Sequence, residues 1–227
     1  MQALILAAGS GVKIAGGNRI PKSLVKVGNK TLLEHNISQL PDNVKEIVLV
    51  VGPDKNQIKK KIGINYGSRR IKYLEQPEML GTGHALYMCK DHLTDGKFVV
   101  LMGDNLYHKK DIEKCLKHDL SVLVKNMESP DRFGVVKLDK RGILLDISES
   151  PKIAEGTDIN CGLYVLDKRI FDYPLAPIGD NEYGLPQQIA KMAFEQPIII
   201  EKATFWLPIS TIQDIKYADK YLKNIYK

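Results

Sequence analysis

Leu4-Ile5-Leu6-Ala7-Ala8-Gly9-Ser10-Gly11, with Ile20-Pro21-Lys22-Ser23-Leu24 a few residues on, is the stretch that decides the fold. A short apolar run closed by glycine reads as a buried strand, so Ala3–Ala8 is expected to be the first strand of an α/β sheet. Ligands of open α/β sheets bind outside the carboxyl ends of the strands, which is where Gly9 and Gly11 fall. Glycine lets a backbone take positive φ and approach a ligand closely, and successive N–H groups in such a turn form an anion-binding nest. Lys22 adds a mobile ammonium within reach of the same anion. Two better-known patterns are absent. A Walker A loop needs Gly-Lys-Ser/Thr at a helix start, whereas Gly11 is followed by Val12-Lys13-Ile14. A dinucleotide fingerprint needs a third glycine where Ile14 stands. The stretch alone reads either as a phosphate-binding turn or as a plain tight βα turn.

Downstream, Thr31-Leu32-Leu33-Glu34 has the form of a capping box, so a helix is expected over Leu32–Leu40, ended by Pro41. Glu46–Val51 is a β-branched run closed by Gly52-Pro53, a second buried strand. A polar helix over Asp54–Ile62 and a strand over Ile71–Glu75 continue a βαβαβ alternation, which predicts parallel strands. Gln76-Pro77-Glu78-Met79-Leu80-Gly81-Thr82-Gly83-His84-Ala85 reads as a loop entering a helix that runs from Thr82 to about His92. The helix start, with Gly81 and Gly83, can receive an anion or a heterocycle edge. Gln76 carries a carbonyl and an amide together, matching the imide edge of a pyrimidine. The plainer reading makes Gln76 a strand-end polar residue and Thr82 an N-cap. Lys97–Met102 is another apolar strand, ending in Gly103-Asp104-Asn105. An aspartate there either holds Mg²⁺ against phosphates or caps a helix beginning near Lys110.

The second half has shorter strands: Leu120–Val124, then Gly134–Leu138 and Ile143–Glu149 joined by a hairpin turn at Asp139-Lys140-Arg141-Gly142, then Asp158–Leu166. Glu182–Glu195 reads as helix, Pro197–Lys202 and Thr204–Ile209 as strands. Thr211–Tyr226 reads as an amphipathic helix with Ile212, Ile215, Ala218, Tyr221, Leu222 and Ile225 on one face.

The 227 residues suffice for one substantial core, and 44% hydrophobic with 26% charged residues is ordinary for a soluble globular chain. A net charge of +6 suits an anionic substrate. Lys59-Lys60-Lys61 and Arg69-Arg70 lack interleaved aromatics, so they read as a solvated helix face and a loop, and no nucleic-acid partner is expected. Cys89, Cys115 and Cys161 are odd in number and far apart, which argues against a disulfide framework or zinc knuckle. The five histidines lack metal-ligand spacing. No signal peptide or bilayer-spanning run is present, so a cytoplasmic protein with no membrane partner is expected.

Taken together, the ordered motifs resemble the sugar-1-phosphate nucleotidyltransferase family over nearly the whole chain. Leu6-Ala7-Ala8-Gly9-Ser10-Gly11-Val12-Lys13 and Pro21-Lys22-Ser23-Leu24 correspond to that family's Leu-Ala-x-Gly-x-Gly-x-Arg and Pro-Lys-x-Leu. Gln76, Leu80-Gly81-Thr82-Gly83-His84-Ala85, Gly103-Asp104-Asn105, Phe133-Gly134-Val135-Val136, Asn160-x-Gly162 and Trp206 follow in the family's order. The Gln76 to Ala85 segment looks most like uridylyltransferases acting on glucose- or N-acetylglucosamine-1-phosphate. The resemblance implies an α/β fold: a Rossmann-like, mostly parallel sheet flanked by helices, with an inserted small β-rich lobe for the sugar. It implies one nucleotidyltransferase domain, with about residues 1–118 on the nucleotide and about 119–227 on the sugar.

The resemblance also assigns roles. Leu6, Ala7, Ala8, Gly9 and Gly11 would bind the nucleotide backbone and phosphates, with Gln76, Gly81, Thr82 and Gly103 completing the nucleotide site. Asp104 would ligate Mg²⁺, Lys13 and Lys22 would serve the phosphates, and Gly134, Glu149 and Asn160 would hold the sugar. The activity implied is Mg²⁺-dependent attack of a hexose-1-phosphate on the α-phosphorus of UTP, or of dTTP, releasing pyrophosphate. A thymidylyl- or cytidylyltransferase, or a regulatory protein that binds a nucleotide sugar without chemistry, is the alternative; a homo-oligomer is left open. Three positions depart from the family. Lys13 replaces an arginine, Glu149-Ser150 replaces Glu-Lys, and Trp206-Leu207-Pro208 replaces a Trp-x-Asp whose aspartate is a second metal ligand.

Overall fold

Buried side chains alternate strictly along the first strand, β1 (Gln2–Ala7), because a strand sends successive residues to opposite faces. Leu4 and Leu6 face one core, Ala3 and Ile5 the other. The computed structural model describes residues 1–9, 11–13, 19–127, 133–148, 157–179 and 181–225. The main sheet is completed by β2 (Glu46–Val51), β3 (Asn65–Tyr66), β4 (Arg69–Glu75), β5 (Phe98–Met102), β6 (Ser121–Met127), β7 (Val135–Leu138), β8 (Leu144–Ser148), β9 (Thr157–Leu166) and β10 (Ile199–Lys202). Its centre is parallel: β4 pairs with β2, β2 with β1, and β1 with β5. This is the outcome expected from the βαβαβ alternation.

Helices cover both faces. On one side α1 (Leu32–Gln39), α2 (Lys55–Ile62) and α4 (Lys109–Cys115) bring Leu33, Ile37, Ile58 and Ile112 onto Ile5, Ile47 and Leu49. On the other, α3 (Gly81–Tyr87) and α5 (Leu185–Ala193) bring Ala85, Leu86, Leu185 and Ile189 onto Leu4, Val48 and Val100. Each such fully buried leucine or isoleucine contributes about 1.5–3 kcal/mol of transfer free energy, so the two interfaces hold the sheet's centre. The α1 start is the expected capping box: Glu34 N–H donates to Thr31 Oγ1 at 3.2 Å, and Thr31 N–H donates to Glu34 Oε2 at 2.8 Å. No helix among the described residues is long and apolar enough to cross a membrane.

The second half extends this sheet and forks it. β9 runs antiparallel to β5 through Leu163–Leu166, then continues beyond the end of β5 and pairs with β7 at Ile159. The β7–β8 hairpin, turning at residues 139–142 as expected, therefore stands past the carboxyl ends of β1 and β5. Gly162 sits at the fork with φ of +70°, and a Cβ there would lie 2.6 Å from Met102 Cγ, so only glycine lets β9 turn away so close to β5. The far edge of β9 carries β6, and β6 carries β10.

Several local readings are corrected. Arg69-Arg70 is not a loop but the start of β4, paired with β3 across a turn in which Gly67 takes φ of +59°. Arg69 reaches back to the Leu40 carbonyl at 2.6 Å. Glu182-Tyr183 is not helical; it forms a two-residue strand against Pro177–Gly179, and α5 starts only at Leu185. Pro186 belongs in a first helical turn, where its missing N–H costs nothing. α3 ends at Tyr87, with a separate 3₁₀ turn at Lys90–His92. In α6 (Ile212–Ile225), Ala218 and Leu222 are buried, but Ile212 is 68% exposed and stands off the packed face.

Candidate active site

A cavity of about 340 Å³ opens at the carboxyl ends of β1 and β5. Leu6, Ala7, Ala8 and Gly9 form one wall as β1 ends, and Gly103 and Asp104 form the floor where β5 ends. Gln76, Gly81 and Thr82 close it from the α3 side, and Lys22 enters from the loop after β1. These are residues assigned to the nucleotide from the sequence, brought to one place. Gly11 lines a smaller adjoining cavity of about 220 Å³ on the far side of Gly9. Glu149 and the side chain of Lys13 lie outside the described residues.

Lys22 Nζ donates to Asp104 Oδ2 at 2.6 Å, with the two side chains 25% and 36% exposed. Both ends of this pair are fixed by backbone. Lys22–Leu24 forms a 3₁₀ turn in which Leu24 N–H donates to Pro21 O and Val25 N–H to Lys22 O. Val25 then packs with Ala218 and Leu222 of α6. On the other side Gly103 N–H donates to Leu6 O at 2.8 Å, and Asp104 O accepts from Ile209 N–H at 3.1 Å. Asp104 is therefore not a helix cap. The cap of α4 is His108, whose side chain accepts from Lys110 N–H.

Beneath the floor, Tyr107 and Asn105 tie β9 to the end of β5. The single Tyr107 O–H is shared between the Cys161 and Gly162 carbonyls, 3.0 and 3.1 Å away, and Asn105 Nδ2 donates to Cys161 O at 3.2 Å. Burial pushes the Tyr107 phenol well above its usual pKa, so it remains a donor at any working pH.

The α3 side is equally specific. Gln76 is 3% exposed, and its Nε2 donates to Gly81 O at 3.1 Å and to His84 Nδ1 at 3.0 Å. Thr82 is not the N-cap; that residue is Leu80, and Thr82 Oγ1 accepts from Leu185 N–H at 3.1 Å, joining α3 to α5. Gly134 and Asn160 meet each other, Asn160 N–H donating to Gly134 O at 2.8 Å, but they stand along β9 outside the walls of the cavity. Asn160 Nδ2 donates to Tyr164 Oη at 2.6 Å and its Oδ1 accepts from Gly162 N–H.

Sequence reasoning missed Glu182, Ser23, Met79 and Met102, all of which line the cavity. Glu182 was hidden by its reading as helix, and it is an exposed carboxylate on the rim. Ser23 Oγ is buried with no hydrogen-bond partner among the described residues. No cluster of three His, Cys, Asp or Glu side chains occurs among the described residues. Pro208, opposite Asn105 in the short ladder of Trp206–Pro208 with Asn105–Tyr107, brings no side-chain oxygen. The floor thus offers one carboxylate, Asp104, with Glu182 on the rim. That fits Mg²⁺ in its usual mode, in which one or two carboxylates supplement water and substrate phosphates.

Comparison with known proteins agrees with this geometry. The family model described as nucleotidyl transferase matches residues 2–220. The "Bifunctional protein GlmU" of Methanocaldococcus jannaschii is 33% identical over 98% of this chain and 54% of that relative. The chain therefore spans about half the length of these curated relatives. A Bacillus anthracis structure assigned as a glucose-1-phosphate thymidylyltransferase superposes with a TM-score of 0.85 at 21% identity, covering 99% of this chain and 96% of the other. The inositol-1-phosphate CTP transferase of T. maritima gives 0.80 at 17% identity, covering 98% and 96%. The latter two likenesses bear on fold alone. The family match, coming from residues that include the whole cavity, bears on more: this chain belongs to the nucleotidyl transferase family, that of the sugar-1-phosphate nucleotidyltransferases.

Proposed function

We propose that the protein transfers a uridylyl group from UTP to a hexose-1-phosphate, with dTTP as the alternative donor, giving a nucleotide sugar and pyrophosphate. The observation that carries this reading is the Lys22–Asp104 pair on the floor of a cavity walled by the Leu6–Gly9 backbone and Gln76. A cation and an anion sit side by side there, ready to be parted between substrate phosphates and a metal.

The chemistry asks little of the protein's acids and bases. A sugar-1-phosphate is itself the nucleophile, and its second pKa of about 6 leaves it mostly dianionic at neutral pH. What remains is in-line placement on the α-phosphorus and stabilisation of charge on the departing pyrophosphate. Lys22 supplies a mobile ammonium to the phosphates, and the backbone N–H groups after β1 supply fixed dipoles. Asp104 would hold Mg²⁺, which when bound neutralises phosphate charge. The residues after position 118 would serve the sugar, with Gly134, Glu149 and Asn160 against its hydroxyls. Of the carbonyl and amide that the sequence offered to an imide edge, Gln76 has both amide hydrogens committed, so its Oε1 is left to accept the N3–H of uracil or thymine.

A second reading is favoured by Pro208: with one carboxylate where relatives are expected to have two, the chain binds nucleotide sugar and regulates rather than reacts. One assay separates the two. Pyrophosphate release is measured across UTP, dTTP, CTP, ATP and GTP, each with glucose-1-phosphate and N-acetylglucosamine-1-phosphate, in Mg²⁺. A preferred pair with UTP or dTTP is expected. Silence in every mixture, from a sample that binds UDP-sugar, would replace the enzyme reading by the regulatory one.

A further inference from the structure

We propose that His84 is a positioning residue that fixes which way the Gln76 amide faces, and so makes the site select uracil or thymine over cytosine. The proposal rests on the reading of the cavity as a nucleotide site, with Gln76 against the base.

Gln76 follows β4 directly, its N–H donating to Val51 O at 2.8 Å, and its side chain is almost wholly buried. A primary amide has two hydrogens. One goes to the Gly81 carbonyl, which can only accept, and this identifies the nitrogen end of the amide. The second goes to His84 Nδ1. That nitrogen accepts only if it carries no proton, so the imidazole holds its hydrogen on Nε2. With both donors spent, Gln76 presents its Oε1, to which nothing among the described residues donates, and Gln76 lines the cavity. Uracil and thymine offer an N3–H to such an acceptor. Cytosine offers a lone pair at N3, which would face the Oε1 lone pairs, and its 4-amino group meets Oε1 only if the ring shifts from the position that uracil takes. A site that pairs a buried polar group with the right partner discriminates strongly, because the wrong partner leaves that group unpaired.

Gly81 supplies half of this hold. Without an acceptor at position 84 the second amide hydrogen is buried and unpaired, so the preference for this amide orientation over the turned one, in which an N–H meets the base, is weakened. An N–H facing the base favours cytosine N3. The imidazole is half-buried on the second turn of α3, so it can be replaced without opening the core. Asparagine at this position places Oδ1, an acceptor, where Nδ1 now stands.

The test is equilibrium binding of UTP and of CTP by calorimetry, to wild type, His84→Phe and His84→Asn, which requires no turnover. Wild type is expected to bind UTP at least tenfold more tightly than CTP. His84→Phe, which keeps a ring but no acceptor, is expected to lose that ratio by about tenfold, and His84→Asn to keep it within about threefold. If His84→Phe fails to fold, His84→Ala removes the same acceptor and is read in its place. An unchanged ratio in a folded acceptor-less variant overturns the role of His84 while leaving the nucleotide site standing. Loss of the ratio in His84→Asn as large as in His84→Phe also overturns it, because the ring and not the acceptor would then matter. A wild-type ratio near one overturns the base reading and this proposal together.

Discussion

At Gly81 the backbone takes φ of +84°, and a Cβ there would overlap the carbonyl oxygen of Tyr183. Tyr183 N–H in turn donates to Leu80 O at 2.9 Å, so the hairpin bearing Glu182 is clamped to the start of α3. Gly81→Ala should therefore cost about 1–3 kcal/mol through overpacking, with backbone strain added. A urea melt measures it. Nucleotide affinity should fall too, since Gly81 O holds Gln76. A variant with unchanged midpoint and affinity would mean that the hairpin yields freely. At this scale the sequence was legible where the partners were near in the chain. Thr31 and Glu34 announced their capping box because both bonds close within four residues. Gln76 announced only a residue type. Its commitment to His84 depends on how α3 leaves the loop, and no spacing rule contains that. Lys22 and Asp104 were each legible as site residues, but their direct pairing across 82 positions was not.

Elements hold the site through one polar anchor outside it. The Asp111 side chain on α4 is fully buried, and its Oδ2 accepts from Thr204 N–H, Thr204 Oγ1 and Phe205 N–H at 2.8, 2.8 and 3.0 Å. This fastens the segment leading to Trp206–Pro208, whose ladder with Asn105–Tyr107 carries Asp104. Asp111→Ala would strand three donors at once and leave Lys114 without its 3.2 Å partner. A loss of about 3 kcal/mol is expected in thermal or denaturant unfolding. If the melting curve stays in place, solvent must reach those donors. Strands and helices of the first half were readable because their apolar runs are long and bounded by Gly or Pro. The errors fall where a polar run is pinned by distant groups. Arg69 looked like loop because its stabilising partners, the Leu40 and Pro41 carbonyls, lie at the end of α1. Glu182-Tyr183 looked like helix because a helix does follow, and only Pro186 marks where it begins.

Across the whole molecule, the sheet places its three cysteines beyond reach of solvent. Burial pushes the Cys89 and Cys115 thiols up to about 12 and raises Cys161 as well. A thiolate is the reactive form, so none of the three should react with a thiol reagent at pH 8 in the folded protein, and all three should react in urea. Any native reactivity would contradict the packing of α3, α4 and β9. The same shifts set an alkaline limit. Their folded values lie above an unfolded value near 9.0, so the folded chain keeps protons that the unfolded chain releases. This contribution to stability is complete below pH 9 and is lost as pH rises from there towards 12. The parallel centre of the sheet was legible from β-α alternation. Its fork was not, because pairing of β9 with β5 at one end and β7 at the other is a matter of register and of Gly162, which sequence pattern leaves open.

The central claim is that the Lys22–Asp104 pair operates the cavity. It is tested most directly by pyrophosphate release from UTP and a hexose-1-phosphate by wild type, Lys22→Ala, Asp104→Asn and Lys59→Ala, with melting curves run on the same samples. Lys22→Ala and Asp104→Asn should each lose at least about 100-fold in kcat/KM, roughly 2.7 kcal/mol of transition-state stabilisation, while melting within a few degrees of wild type. Lys59→Ala, on the exposed face of α2, should match wild type. Full activity in a folded Lys22→Ala or Asp104→Asn protein, or an equal loss in Lys59→Ala, would contradict the account.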